Sequence, residues 1–176
     1  MEERRDTRGL TEAEAIARYK SRNYPKPALT ADIIVFSRKE NTLKVLLVER
    51  GSHPFIGKLA LPGGFANENE PVEVTAAREL EEETGVQGLS IELVGLFSKP
   101  ERDPRGWVVS AAFAAVVHTD ALNVQAGDDA ADALWCDVEK EDGQTMLRVR
   151  GESVPLHELA FDHGEILSET LKKLGL

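Results

Sequence analysis

Residues 64–86 read GFANENEPVEVTAARELEEETGV and form the segment of the chain that is richest in glutamate. Its first part is polar and begins with glycine, which predicts a loop. Pro71 suits the first turn of a helix, and Gly85 suits the left-handed position just past a helix end. The segment therefore predicts a loop followed by a helix over residues 71–84.

Three glutamates share one face of the predicted helix. Because an α-helix turns by about 100° per residue, Glu79, Glu82 and Glu83 fall within an arc of roughly 100°, whereas Glu81 lies near the opposite side. Carboxylates at this spacing repel one another, and the helix dipole disfavours negative charge near the C-terminal end. Such a cluster is expected at a functional site, where hard oxygen ligands suit Mg²⁺ or Mn²⁺. A solvated acidic helix face is the alternative interpretation.

The wider spacing of residues around these glutamates favours the functional interpretation. Seven positions form one fixed pattern, and they are Gly64, Glu70, Arg78, Glu79, Glu82, Glu83 and Gly85. At roughly 7% per position, such a pattern arises by chance about once in 10⁸ windows. It is a full match to the Nudix box, so the chain resembles the Nudix hydrolases. Glu70 and Arg78 can pair across the loop and the helix, and the resemblance gives Glu70 a supporting role rather than that of a metal ligand.

The rest of the chain consists of strand patterns with a few helices. Apolar, β-branched runs predict strands at residues 32–36, 43–48, 91–97, 108–118 and 133–138, with a further candidate at 145–149. Helices are predicted at residues 12–22 and 166–174, a hairpin turn at 39–41 and a loop at 57–64. Strands with a few helices on a mixed sheet indicate the α/β (α+β) class.

The resemblance implies the Nudix fold, in which a mixed β-sheet is sandwiched between helices and carries a catalytic loop-helix-loop. The length of 176 residues suggests one domain, which we place at residues 28–176 after an N-terminal extension at residues 1–27. The single cysteine, Cys136, excludes an internal disulfide and suits a reducing compartment such as the cytoplasm. We interpret Cys136 as a packing residue.

The resemblance also assigns the residues of the catalytic centre. It implies that Glu79, Glu82 and Glu83 are the catalytic metal ligands and that the carbonyl group of Gly64 is a further ligand. The bound ion is expected to be Mg²⁺ or Mn²⁺. Asp129 lies in a loop from which some Nudix enzymes draw an additional ligand or base, although an exposed acidic turn is the alternative for this residue.

Three arginines outside the box are candidates for contact with substrate, and they are Arg50, Arg102 and Arg105. In an acidic protein, an arginine near the site can hold a phosphate group with two hydrogen bonds. The alternatives are a surface charge at a strand end for Arg50 and turn chemistry for the two arginines in the loop. For His163, a structural role at the last helix is favoured over catalysis.

The flanking loops point to a substrate. Residues 54–65, 98–106 and 159–163 resemble the ADP-ribose pyrophosphatase branch of the family, which implies hydrolysis of ADP-ribose to AMP and ribose 5-phosphate. A nucleoside triphosphate, NADH or another dinucleotide is the alternative substrate. Residues 24–30 also resemble Nudix-related regulators that sense ADP-ribose without hydrolysing it.

Composition restricts the partners of the chain. The formal net charge is −10, which suits nucleic acid poorly because phosphate contacts need Lys and Arg. Metal ions can reverse the local sign, so a small molecule linked to a nucleoside diphosphate remains a suitable partner. No apolar run is long enough for a membrane span. The resemblance to ADP-ribose hydrolases, which commonly share their active site across a dimer, implies a homodimer.

Overall fold

The computed structural model describes residues 3–118, 122, 124–127 and 130–176. Its helices are α1 (Glu12–Ser21), α2 (Val72–Thr84) and α3 (His163–Leu174), with a short 3₁₀ turn at Leu156–Glu158. Its strands are β1 (Ala28–Lys39), β2 (Thr42–Arg50), β3 (Leu59–Ala60), β4 (Gly63–Phe65), β5 (Glu92–Phe97), β6 (Val108–Val117), β7 (Ala130–Glu141), β8 (Gln144–Val149) and β9 (Glu152–Pro155).

The strands form one mixed sheet in which β1 is central. The main order is β5-β6-β1-β2-β7-β8-β9, with β3 paired to β2 and β4 paired to β1. Strand β1 runs parallel to β6, with Ile33 opposite Phe113, and antiparallel to β2, with Phe36 opposite Val45. Eight consecutive residues of β1 are buried, because side chains on both faces of this strand are covered.

Helices cover the two faces of the sheet. On one face, Ile34 and Phe36 of β1 belong to the same apolar cluster as Ile166 of α3. On the other face, Ala31, Ile33 and Val35 of β1 belong to a second cluster with Leu80 of α2. The alternation of side chains along β1 thus supplies both cores, and the predicted mixed sheet between helices is confirmed.

Most predicted elements are present, but tertiary pairing extends them. The predicted strand at residues 32–36 is part of the longer β1, because the residues on either side of the apolar run also pair with β6. The predicted loop at residues 57–64 is wrong in part, because β3 and the start of β4 lie within it and pair with β2 and β1. Neither short strand carries an apolar run that a sequence pattern detects.

Three further observations bear on the sequence predictions. None of the residues of α1 is buried, which agrees with the expected N-terminal extension, although the division of the chain at residue 27 stays a prediction.

Cys136 is fully buried, and burial raises the pKa of its thiol to about 12, which agrees with its interpretation as a packing residue. Within the described part of the chain, no helix is long and apolar enough to cross a membrane.

Gly164 provides a test of the packing that holds α3. A Cβ atom at Gly164 would lie 2.1 Å from the carbonyl oxygen of Leu156. Because backbone atoms cannot turn aside as a side chain can, Gly164→Ala should lower the free energy of unfolding by about 1–3 kcal/mol in chemical denaturation. Gly95→Ala is the control, since its Cβ would have its nearest neighbour at 4.0 Å. Equal unfolding midpoints for the two variants would contradict this packing.

Candidate active site

A cavity of about 370 Å³ lies beside β1, β4 and α2. Its charged lining includes the carboxylates of Asp32, Glu79 and Glu83 and the guanidinium groups of Arg50, Arg102 and Arg105. Carboxylates and arginines therefore face one cavity, which suits a ligand that carries negative charge together with cations that offset the carboxylates.

Arg78 ties the loop before α2 to the helix. Its Nε donates to Oε1 of Glu70 over 3.0 Å, and its Nη2 donates to Oε2 of Glu70 over 3.0 Å. Glu70 also accepts hydrogen bonds from the backbone N–H of Asn67 and from the hydroxyl of Thr75. These hydrogen bonds from Arg78 make the largest contribution to lowering the pKa of Glu70, which falls to about 2. The predicted pairing of Glu70 with Arg78 is thus present.

The same arginine holds two of the three glutamates of the box. Arg78 Nη1 donates to Oε1 of Glu79 over 2.6 Å and to Oε2 of Glu82 over 2.8 Å. Glu79 is only 9% exposed and lines the cavity, whereas Glu82 is exposed and lies outside the cavity lining. Glu81 is exposed and also lies outside this lining, as its helical direction predicts.

Glu83 occupies the most unfavourable electrostatic position of the three. Its Oε2 accepts a hydrogen bond of 2.9 Å from the backbone N–H of Gly63. Burial nevertheless raises the pKa of Glu83 to about 7, and the negative charges of Glu79 and Asp32 act in the same direction. The positive charge of Arg50 and the hydrogen bond from Gly63 act against this rise in the pKa of Glu83 without cancelling it.

The side chains at this end of the cavity fit a divalent cation. Their donors are oxygen atoms, which hard divalent ions prefer. Gly64 makes room for the carboxylate of Glu79, because a Cβ at Gly64 would lie 2.5–2.6 Å from its atoms. Among residues 3–118, 122, 124–127 and 130–176, no three His, Cys, Asp or Glu side chains are already gathered around one metal position. The guanidinium of Arg78 lies against both Glu79 and Glu82.

The loop before β7 packs against the C-terminal end of α2. The N–H groups of Gln125 and Gly127 donate to the carbonyl oxygens of Thr84 and Glu83 over 3.0 and 3.2 Å. These carbonyls have no partner within the helix, so the loop satisfies them. A Cβ at Gly127 would lie 2.3 Å from the carbonyl oxygen of Glu82, so glycine is needed for this approach. Asp129, the proposed additional ligand, lies outside the described residues.

The three candidate substrate arginines occupy different environments. Arg102 is buried, with its Nε and Nη2 donating to the two carboxylate oxygens of Asp162 over 2.8 and 2.6 Å. Arg50 donates from Nε to the carbonyl of Pro54 over 2.8 Å, and its guanidinium lies 5.0 Å from the ring centroid of Phe161. Arg105 is 41% exposed in its side chain. All three arginines line the cavity. Their contact with substrate stays a prediction.

Sequence patterns did not identify Asp32 as part of the site. Its carboxylate accepts hydrogen bonds from the hydroxyl of Ser110 and from Arg102, and it is 6% exposed. The available signal was an aspartate at the start of an otherwise apolar strand, since a buried charge needs a partner. Its partners come from residues 70 and 78 positions away, which a local pattern does not reveal.

His163 joins α3 to the strands beneath the cavity. Its Nδ1 accepts a hydrogen bond of 2.8 Å from the backbone N–H of Leu61. Burial lowers the pKa of His163, so the ring is neutral and carries its hydrogen on Nε2, which lies 3.6 Å from Oδ1 of Asp32. These contacts agree with the structural role expected for this residue.

Comparisons with known proteins identify relatives over most of the chain. A family model described as NUDIX domain matches residues 26–158. An ADP-ribose pyrophosphatase of Methanocaldococcus jannaschii is 37% identical over 153 residues, which cover 87% of this chain and 78% of that protein. The ADPR responsive transcriptional repressor NtrR of Acinetobacter baylyi is 30% identical over 167 residues, which cover 94% of this chain but only 61% of the repressor.

Solved structures show the same similarity in three dimensions. A MutT/nudix family protein from Enterococcus faecalis superposes with a TM-score of 0.82 at 36% identity, covering 95% of this chain and 70% of that one. The NUDIX domain of Shewanella oneidensis NrtR, in a complex with ADP ribose, gives a TM-score of 0.73 at 32% identity, covering 94% and 99% of the two chains.

The buried pair of Arg102 and Asp162 generates a stability prediction. Arg102→Met removes the cation and leaves the carboxylates of Asp32 and Asp162 buried, so the free energy of unfolding should fall by about 3–5 kcal/mol. Arg148→Met is the control, because Arg148 pairs with two partly exposed glutamates and should contribute about 1 kcal/mol or less. Urea denaturation of both variants measures the difference. A loss for Arg102→Met no larger than for Arg148→Met would count against the buried network.

Proposed function

The chain belongs to the Nudix family, and from this premise we propose that it is a metal-dependent pyrophosphatase that hydrolyses ADP-ribose to AMP and ribose 5-phosphate. The observation that carries the proposal is the cavity in which Glu79 and Glu83 of the box meet Arg50 and Arg105. The ADP-ribose pyrophosphatase from M. jannaschii, at 37% identity, supports the choice of substrate.

Nudix hydrolases generally use divalent metal ions, and we propose Mg²⁺ or Mn²⁺ for this chain. We assign the carboxylates of Glu79, Glu82 and Glu83 and the carbonyl group of Gly64 as ligands, with Asp129 as a candidate for one more. When bound, such ions polarise phosphoryl oxygens and lower the pKa of a coordinated water. Because Arg78 holds Glu79 and Glu82 in this structure, both carboxylates would release part of that contact on binding.

The remaining residues of the cavity would bind and orient the diphosphate. The guanidinium groups of Arg50 and Arg105 supply positive charge and hydrogen-bond donors for phosphoryl oxygens. The rings of Phe65 and Phe161 lie beside Arg105 and would limit the access of bulk water. In the reaction, the oxygen of water would bond to one phosphorus and give up a proton as the bridging P–O bond breaks, and the leaving phosphate oxygen would accept a proton in exchange.

The alternative function is recognition of ADP-ribose without hydrolysis. It is favoured by the similarity to the NUDIX domain of NrtR, which was crystallised with ADP ribose. Two observations favour the enzyme for this chain. The glutamates of the box are all present, and a net charge of −10 suits DNA poorly. We also propose a cytoplasmic location, a homodimer and no nucleic-acid partner.

Glu82→Gln tests the metal-binding role of the helix. The substitution keeps the shape of the side chain and removes its charge, so turnover of ADP-ribose with Mg²⁺ should fall by roughly 100-fold or more. Thermal unfolding should change little, because Glu82 is exposed. Glu81→Gln is the matched control on the other side of the helix and should retain near wild-type turnover. Full metal-dependent activity in Glu82→Gln would refute the assignment.

A substrate panel tests the choice of ADP-ribose. Purified protein with Mg²⁺ or Mn²⁺ is offered ADP-ribose, NADH and 8-oxo-dGTP, and products are identified by chromatography. We expect kcat/KM for ADP-ribose to exceed that for each competitor by about tenfold or more, corresponding to about 1.4 kcal/mol of transition-state binding. Preference for a competitor would identify another Nudix substrate. Tight binding of ADP-ribose with no product would favour the sensing alternative.

A further inference from the structure

Two arginines of the loop between β5 and β6, three positions apart, are held by different carboxylates. Arg102 turns inward to Asp162 of the segment before α3, as described above. Arg105 instead pairs with Asp103, two residues earlier. The side chain of Asp103 is only 3% exposed, while that of Arg105 is 41% exposed. The buried carboxylate therefore holds a guanidinium that remains open to the cavity.

Asp103 fixes Arg105 through several contacts. Its Oδ1 accepts hydrogen bonds from the backbone N–H and from Nε of Arg105, over 2.9 and 3.0 Å. Its Oδ2 accepts a hydrogen bond of 2.7 Å from Nη2. Burial opposes the ionisation of Asp103, but the Arg105 hydrogen bonds and charge keep its pKa below the ordinary value. The carboxylate is therefore charged at neutral pH and grips one edge of the guanidinium.

Two aromatic rings also restrain the plane of this guanidinium. The central carbon of Arg105 lies 4.7 Å from the ring centroid of Phe65 and 5.2 Å from that of Phe161. Such contacts between a cation and an aromatic face are attractive. Among the described residues, no hydrogen-bond partner of Nη1 is found, so this nitrogen retains its donor capacity while Nε and Nη2 are engaged.

We propose that Asp103 is a positioning residue for substrate, because it holds Arg105 so that Nη1 meets a phosphoryl oxygen of the nucleoside diphosphate. The inference rests on the proposed function. A free arginine side chain must lose rotamer freedom before it can hold a phosphate group, and Asp103 removes most of that cost before binding. Asp103 would then act on substrate affinity rather than on the chemical step.

Electrostatics alone predicts the opposite effect of removing this carboxylate. Asp103 carries a negative charge beside the cavity, so its neutralisation should strengthen the binding of an anionic ligand. Positioning predicts weaker binding, because Arg105 loses its fixed orientation and becomes available to other carboxylates of the cavity. The sign of the change in KM therefore separates the two effects.

The experiment compares Asp103→Asn, Arg105→Ala and the double variant with wild type in steady-state hydrolysis of ADP-ribose. We expect Asp103→Asn to raise KM about tenfold and to leave kcat within about twofold. Arg105→Ala should raise KM by at least as much. The double variant should be no worse than Arg105→Ala alone, because Asp103 acts through Arg105. Glu139→Gln is the control, since it removes a carboxylate partner of Arg148 outside the cavity lining.

Other outcomes would contradict either the positioning role of Asp103 or the proposed hydrolysis of ADP-ribose. An unchanged or lowered KM in Asp103→Asn contradicts the positioning role, as do effects that multiply in the double variant. If Asp103→Asn does not fold, Arg105→Lys addresses the same question, because lysine keeps the charge but cannot form the two-pronged contact. Its KM should match that of Arg105→Ala, and a wild-type KM would refute the inference. Failure of wild type to hydrolyse ADP-ribose would instead overturn the proposed function, and this inference with it.

Discussion

Carboxylates crowded on one helix face repel one another, and the site depends on how the fold offsets that repulsion. Arg78 donates to Glu70 on the preceding loop and to Glu79 and Glu82 on its own helix. The backbone N–H of Gly63 donates to Glu83. Each contact places a positive charge or an N–H dipole against a carboxylate, so these contacts hold the cluster in one arrangement.

Two glycines in the backbone around α2 allow close approaches to this helix. Gly64 leaves space for the carboxylate of Glu79, and Gly127 lets the loop before β7 approach the carbonyl oxygen of Glu82. The loop then donates N–H groups to the carbonyls of Thr84 and Glu83, which have no partner within the helix. These donors reduce the negative end of the helix dipole where the carboxylates lie, so glycine at both positions serves electrostatics as well as packing.

Two arginines that line the cavity differ in their burial and in their carboxylate partners. Arg102 joins β1, the β5–β6 loop and the start of α3 through Asp32 and Asp162, which leaves it buried. Arg105 is held by Asp103 and stays partly exposed. A rigid frame of buried pairs thus supports an arginine with donor capacity remaining, which is the arrangement that binding of an anionic ligand requires.

The sequence by itself determined the helix α2, predicted over residues 71–84 and observed at Val72–Thr84 with Pro71 as its N-cap, and the pairing of Glu70 with Arg78. These features are local, since helical geometry fixes which residues share a face within a few turns. The same helical geometry places Glu81 on another side of α2, and its side chain lies outside the cavity lining.

Only the tertiary structure decided which arginine is buried, that Asp32 belongs to the cavity, and that β3 and β4 are strands. Arg102 and Arg105 stand three residues apart in one loop, and no local pattern tells which of them is buried. The partner that buries Arg102 is Asp162, 60 residues further along the chain. The reason is physical: burial and pairing of charges depend on contacts between distant segments, and those contacts exist only once the sheet and its helices have assembled.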